Sequence, residues 1–161
     1  MDAFDLKIIN TLQKDARLTN QEIGDLIGLS ASQTSRRRQI LEKEGIILGY
    51  NARINQRALD LKVTAMIHVN LHTHDAKSQL AFQELIAREE RIHDAFTLSG
   101  DADFILKVVS ESLEHLSDFI SEKLLSSNLV GNVKSYIVLK TLKEQRHCML
   151  SPKTKPSKST I

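Results

Sequence analysis

The stretch that most constrains this chain is TNQEIGDLIGLSASQTSRRRQILEKEG, residues 19–45. It contains two helix-start signals, Thr19 with Glu22 and Ser30 with Gln33, each a hydroxyl followed three positions later by an acid or amide. In such a pair, each side chain satisfies the other's exposed backbone N–H. Ile23, Leu26 and Ile27 give the first helix a short apolar face, and Gly28 supplies a left-handed stop. Only Gly28 and Leu29 separate the two helices, so they must pack directly on each other. The second helix runs to about Glu44, with Gly45 as its stop.

That second helix is unusual. Residues 30–39, SASQTSRRRQ, carry no large apolar side chain. Leu41 fixes the inner face, with Thr34 seven residues back almost directly above it. Ala31, Thr34 and Ser35 are small enough to pack without an apolar stripe. Ser32, Gln33 and Arg36 point outward, with Arg37 at one edge. Arg38 falls on the inner side, its stem packed and its head reaching solvent. A preceding helix over residues 2–15 shows Leu6, Ile8, Ile9 and Leu12 in helical phase, with Asp2 and Asp5 at its start. Three short helices with a glycine turn between the last two describe a helix-turn-helix, winged-helix-like domain. Small side chains let the backbone approach the major groove, Ser and Gln reach base edges, and Arg binds guanine or phosphate. Ser32, Gln33, Arg36, Arg37 and Arg38 are the DNA-binding candidates. On composition alone, an arginine triplet is equally an ordinary solvated helix face. The paired caps and the glycine turn favour the duplex.

From Ile46 the pattern changes. Residues 46–62 read as a connector with some strand and a short helical turn at QRALDL. VTAMIHVNL then alternates, with Val63, Ala65, Ile67, Val69 and Leu71 on one face. DAKSQLAFQELIARE is helical, with Leu80, Leu85 and Ile86 among its inward candidates. IHDAFTLSG and DADFILKVV are strands joined near Gly100. SLEHLSDFISEKLL is helical through Leu113, Leu116, Ile120 and Leu124, and NVKSYIVLK is the last strand. The order β-α-β-β-α-β is the ferredoxin-like pattern. The fold class is therefore α+β. Its expected divisions are a helix-turn-helix domain at 1–45, the connector at 46–62, a ferredoxin-like domain at 63–148, and a flexible Lys-, Ser- and Pro-containing tail at 149–161.

Charge narrows the partners. Residues 1–62 carry ten Lys and Arg against eight acids, residues 63–148 nine against twelve, and residues 149–161 three lysines and no acid. This is a focused basic patch rather than a basic coat. The single cysteine, Cys148, excludes an internal disulfide and a zinc site built on Cys pairs, in keeping with a reducing cytoplasm. The acidic, amphipathic start does not read as a signal peptide, and no run approaches the ~20 apolar residues of a membrane span.

Two further stretches carry candidate chemistry. SGDADFILKV, residues 99–108, places Gly100, Asp101 and Asp103 at a strand–turn–strand junction. The glycine can open backbone N–H groups to a carboxylate, and the aspartates can receive an ammonium. Asp and Gly are also ordinary turn residues. HTHD, His72 to Asp75, has a metal-ligand spacing, yet Thr73 or Asp75 also serves as a helix cap there. No nucleophile elbow, phosphate loop or paired-carboxylate site is visible, so neither a catalytic residue nor a metal is expected.

LTNQEIGDLIGLS, RRRQILEKEGIILGY and GDADFILKV, in this order over roughly residues 2–145, resemble the Lrp/AsnC family of leucine-responsive, feast/famine transcription regulators. The resemblance implies a cytoplasmic, homo-oligomeric DNA-binding protein, dimeric and assembling further into octamers or other rings. It implies no cofactor but an amino-acid effector, bordered by Gly100, Asp101 and Asp103 with Tyr136 from the last strand. A nucleoid-type protein that organises DNA with little sequence preference is the alternative. Ala31 and Gln33 stand where many members have proline, Ser35 and Arg38 where many are apolar, and Asn128-Leu129 where Pro-Gly is usual. The SQxSRRR version resembles a branch that includes regulators of amino-acid breakdown.

Overall fold

The computed structural model describes residues 1–144 and Cys148; the expected tail at 149–161 lies outside the described residues. The chain forms two compact units, one of Met1–Arg53 with the described residues from Glu144 on, the other of Ile54–Lys143.

In the first unit, α1 (Ala3–Lys14), α2 (Asn20–Ile27) and α3 (Ala31–Lys43) each begin with a reciprocal cap: Asp2 with Asp5, Thr19 with Glu22, Ser30 with Gln33. Ile8, Leu12, Ile23, Ile27 and Leu41 form the core, joined by Ile9, Leu18, Leu29 and Ile47. Gly28 takes φ 81° and ends α2, and the N–H groups of Gly28 and Leu29 both donate to the Gly24 carbonyl, at 2.8 and 2.9 Å. α3 buries only Thr34 and Leu41. Thr34 is completely enclosed, and its hydroxyl donates to the Ser30 carbonyl at 3.0 Å. Its neighbour across the turn is Gly24, where an added Cβ would lie 2.5 Å from the Leu29 carbonyl oxygen and 3.2 Å from Thr34 Oγ1. α3 closes through Gly45 at φ 68°, with the Ile46 and Ile47 N–H groups donating to the Leu41 carbonyl.

The expected strand in the connector does not form. Residues 46–62 contain only a 3-10 turn at Gln56–Leu59, and the side chain of Leu48 is 93% exposed. A strand needs a partner for its backbone groups, and no described segment pairs with this one.

The second unit is a four-stranded antiparallel sheet in the order β2-β3-β1-β4, built from β1 (Val63–Leu71), β2 (Ile92–Thr97), β3 (Phe104–Ser110) and β4 (Val130–Ile137). The helices α4 (Ala76–Arg88) and α5 (Leu113–Phe119) supply the other side of its core. Ala65, Ile67 and Val69 sit opposite Val108, Leu106 and Phe104, and all six are buried. Phe82, Leu116, Phe119 and Leu124 close over them, with the Phe82 and Phe104 rings 4.8 Å apart. One inward candidate is corrected. Leu80 is exposed because it stands two positions, about 200°, from Phe82, the residue α4 buries. Leu113 is exposed in the first turn of α5. The continuous last helix is also corrected: after Phe119 it widens into a π-helix at Ile120–Leu125. Residues five apart lie about 140° apart in an α-helix; the wider turn brings Leu124 back over the core beside Phe119.

Gly24→Ala is expected to destabilise the helical unit by about 1–3 kcal/mol, because the new methyl meets fixed backbone rather than a side chain that can move. Urea unfolding followed by helical circular dichroism reads this. An unchanged midpoint would mean that α2 and α3 do not approach so closely.

Candidate functional site

Two surfaces bring the sequence candidates together, one in each unit. In the helical unit a concavity of about 360 Å³ is lined by Asp5, Gln33, Arg36, Arg37 and Ile40. Ser32, Gln33 and Arg36 are exposed on the outer side of α3, as their phase requires. The oxygen of the Gln33 amide accepts from the Ser30 N–H at 3.0 Å, and its amide nitrogen has no protein partner among the described residues. The Arg36 guanidinium likewise has no partner among the described residues.

The other two arginines are differently placed. Arg37 Nη1 donates to Asp2 Oδ2 at 2.7 Å and to Asp5 Oδ1 at 2.8 Å, with its head 5.5 Å from the centre of the Phe4 ring. The carboxylates of Asp5 and then Asp2 hold the guanidinium above its ordinary pKa range. Asp2 is held below the ordinary carboxylate range, first by the Asp5 backbone N–H and then by Arg37. Arg38 does not end in open solvent, as its inner position suggested. Its Nε donates to the Tyr50 hydroxyl at 2.7 Å and to Glu42 Oε1 at 3.3 Å, and Nη1 reaches Asn20 Oδ1 at 3.4 Å. Its head also lies 4.5 Å from the centre of the Tyr50 ring. Tyr50 donates to Glu42 at 2.7 Å, and burial, then that bond, raises its pKa. Arg38 thus ties the residues after α3 to α3 and to the start of α2. The sequence reading missed Asp5, Ile40, Tyr50 and Asn20 here. For Asp5 the signal was its cap position, which brings a carboxylate to the end of α1 nearest α3.

In the sheet unit a concavity of about 260 Å³ is lined by His68, Asn70, Leu98, Asp101, Ala102, Asn132, Lys134 and Tyr136. His68 and Asn70 alternate with the buried Ile67, Val69 and Leu71, so this wall is the sheet face opposite the core. Lys134 and Asn132 stand across from them on β4. The His68 and Tyr136 rings are 4.9 Å apart. Asp101 and Tyr136 therefore share one pocket, while Gly100 and Asp103 do not line it. Asp103 has another task. Its Oδ2 accepts the Leu71 N–H at 2.8 Å, its own N–H donates to Asn70 Oδ1 at 2.9 Å, and His74 Nδ1 lies 3.3 Å from its other oxygen. Asn70 Nδ2 donates to the Asp101 carbonyl at 3.1 Å. Asn70 and Asp103 thus lash the β2–β3 turn to the end of β1. Of the HTHD stretch, Asp75 caps α4 by accepting the Ser78 N–H at 2.9 Å, and its carboxyl is lowered to about 2, chiefly by that bond.

Removing the Asp103 acceptor leaves a partly buried N–H unpaired. Asp103→Ala is expected to cost about 1–3 kcal/mol in thermal unfolding, and Asp103→Asn, which keeps an acceptor oxygen, to recover most of it. Equal losses in the two would show that the Leu71 bond is not what matters. Because the Asp75 carboxyl is depressed in the fold, its capping contribution is full above about pH 4 and fades as pH falls toward 2. Asp75→Asn should flatten the acid limb of the stability curve, and an identical limb would remove Asp75 from the account.

Comparison with known proteins gives a consistent picture. Residues 64–147 match the family model of the Lrp/AsnC ligand binding domain, and residues 1–48 match a winged helix-turn-helix DNA-binding model. The chain is 36% identical to a leucine-responsive regulatory protein of Rhizobium meliloti over 89% of its own length and 92% of that protein. It is 32% identical to the Bkd operon transcriptional regulator of Pseudomonas aeruginosa, covering 88% of this chain and 93% of that one. Among solved structures, a transcriptional regulator of Neisseria meningitidis in complex with L-Met superposes with TM-score 0.86 at 29% identity, covering 91% of this chain and 94% of that one.

Proposed function

Because the chain belongs to the Lrp/AsnC family of transcription regulators, we propose that it binds particular double-stranded DNA sites through α3 and answers to an amino acid held on the open face of its sheet. It is a regulator and not an enzyme. The observation that carries the DNA reading is the division of labour along α3. The Gln33 amide nitrogen and the Arg36 guanidinium are outward and unengaged among the described residues, and Ser32 is outward with its hydroxyl 3.1 Å from that of Ser30. Behind them Thr34 is enclosed, and Arg37 and Arg38 brace the helix at either side. Ser32 and Gln33 then read base edges while Arg36 takes guanine or phosphate.

The amino-acid reading rests on the chemistry of the sheet pocket and on the L-Met complex of the Neisseria relative. Lys134 offers a cation for a carboxylate, Asp101 an anion for an ammonium, and Leu98, Ala102 and Tyr136 an apolar wall. Gly100 and Asp103 serve this site by shaping the turn that carries Asp101. The protein works in the cytoplasm as a homo-oligomer, in which a dimer presents two α3 helices to half-sites one helical turn or a multiple apart. The large apolar side chains left bare at Leu48, Leu139 and Leu142 support assembly.

Arg36→Ala is expected to weaken binding to the DNA upstream of its own coding sequence about 10-fold and to reduce the salt slope by about 1, with oligomer size unchanged. Fluorescence anisotropy at several salt concentrations measures both. Unaltered affinity would remove α3 as the reading helix. Competition by unrelated DNA separates a site-specific regulator from a DNA organiser, since only the former keeps its complex. For the effector, an amino acid at millimolar concentration should raise the melting temperature of the intact protein, and Lys134→Ala should abolish the rise. No response to any of the twenty would leave a regulator without an amino-acid effector.

A further inference from the structure

Arg37 lies in the middle of the arginine triplet and lines the concavity that Gln33 and Arg36 line, yet its charge, at a side chain about a third exposed, is already paired with two carboxylates of α1 and its cap. Both carboxylates that hold it are themselves fixed. Asp2 uses Oδ1 to accept the Phe4 and Asp5 N–H groups, at 2.8 and 3.0 Å, and gives Oδ2 to Arg37. Asp5 uses Oδ2 to accept the Asp2 N–H at 2.7 Å and gives Oδ1 to Arg37. Neither acid can follow Arg37 outward without unwinding the first turn of α1. The Phe4 ring flanks the guanidinium, with Lys7 Nζ at 5.4 Å from the same ring. Asp5 also lines the concavity that Gln33 and Arg36 line, so a carboxylate stands within the surface itself.

Contacts to phosphate carry no sequence information, whereas contacts to base edges do. Three adjacent arginines all free to bind phosphate would raise affinity for every duplex alike. We propose that Asp2 and Asp5 are specificity-determining residues: by pairing with Arg37 at the surface they withhold one phosphate contact per α3, so that Ser32, Gln33 and Arg36 account for a larger share of binding. For Arg37 to reach a phosphate it must break two charge-assisted bonds and leave Asp2 and Asp5 without their guanidinium near a polyanion, Asp5 keeping the Met1 ammonium at 4.0 Å. The inference rests on the reading of α3 as the DNA-facing helix, and it treats Arg37 as a positioning residue rather than a contact.

The test is the double variant Asp2→Asn, Asp5→Asn in the full chain, together with Arg37→Gln and the triple combination. Asn caps a helix about as well as Asp, so α1 keeps its start, and the melting temperature checks it. Anisotropy is measured with a labelled duplex of random sequence and with the DNA upstream of the chain's own coding sequence, each over a range of salt. For the double variant we expect the random-duplex salt slope to steepen by about one per engaged helix. Its affinity at low salt should rise on the order of 10-fold, and preference for the upstream DNA should fall. Arg37→Gln alone bares the two acids and should lower affinity for both duplexes, whereas the triple variant, which removes Arg37 and both acids, should return to the wild-type slope. An unchanged slope in the double variant overturns the proposal. So does a gain that persists in the triple variant, which would make the acids plain repulsive charges. A slope in the triple variant below that of the wild type also overturns it, since Arg37 would then already touch phosphate in the wild type. Wild-type protein that binds neither duplex would overturn the DNA reading itself, a different and recognisable result.

Discussion

The close contact of α2 with the start of α3 is the constraint on which the DNA-binding half depends. α3 has almost no apolar face, so it cannot be held by burying a stripe of large side chains. It is held by nearness instead: a glycine at position 24 lets the Leu29 carbonyl approach, and a threonine seals the gap. A hydroxyl is tolerated in that enclosed place because it has an acceptor in its own helix, the Ser30 carbonyl. Having few greasy residues leaves the outer surface of α3 free for polar work, and the remaining hold comes from outside the helix, through Arg37 to α1 and Arg38 to Tyr50.

Much of this was legible in the residues. Thr19 with Glu22, Ser30 with Gln33, and Gly28 locate two helix starts and one stop, because capping is local and its chemistry lies within four positions. The alternation in Val63–Leu71 gave the core face of β1 for the same reason. What was not legible is long-range. Nothing near Arg37 in sequence names Asp2 and Asp5, more than thirty positions away. Arg38 on the inner side was foreseen, but Tyr50 and Asn20 as its partners were not. Leu80 looked inward because helix phase is ambiguous until one knows that Phe82 is the residue buried. The connector strand failed because strand propensity cannot make a strand without a partner edge.

The sheet half divides its polar residues between structure and surface in a way that composition hides. Asp101 and Asp103 are two positions apart, and both read as acids for an ammonium group. Asp103 is consumed by the Leu71 N–H and His74, whereas Asp101, which lines the pocket, contributes only its backbone carbonyl to Asn70. Asn70 links the two arrangements: one side chain lines the pocket and also bonds the backbone of both Asp101 and Asp103. The turn and the central strand are therefore mechanically one piece.

The three reciprocal caps have a consequence for the order in which the molecule is made. Each helix of the first unit begins from information held within a single turn, and α2 meets α3 across the short Gly28–Ser30 turn. The central strand β1, by contrast, has its outer partner in β4, with Leu71 facing Val130. Local contacts close quickly, while distant ones wait for loop closure and for synthesis itself. The described residues from Glu144 on also belong to the helical unit, where the Gln13 side chain donates to the Cys148 carbonyl at 3.3 Å, so the N-terminal helices start early but take up that last contact only after every strand of the sheet has been made.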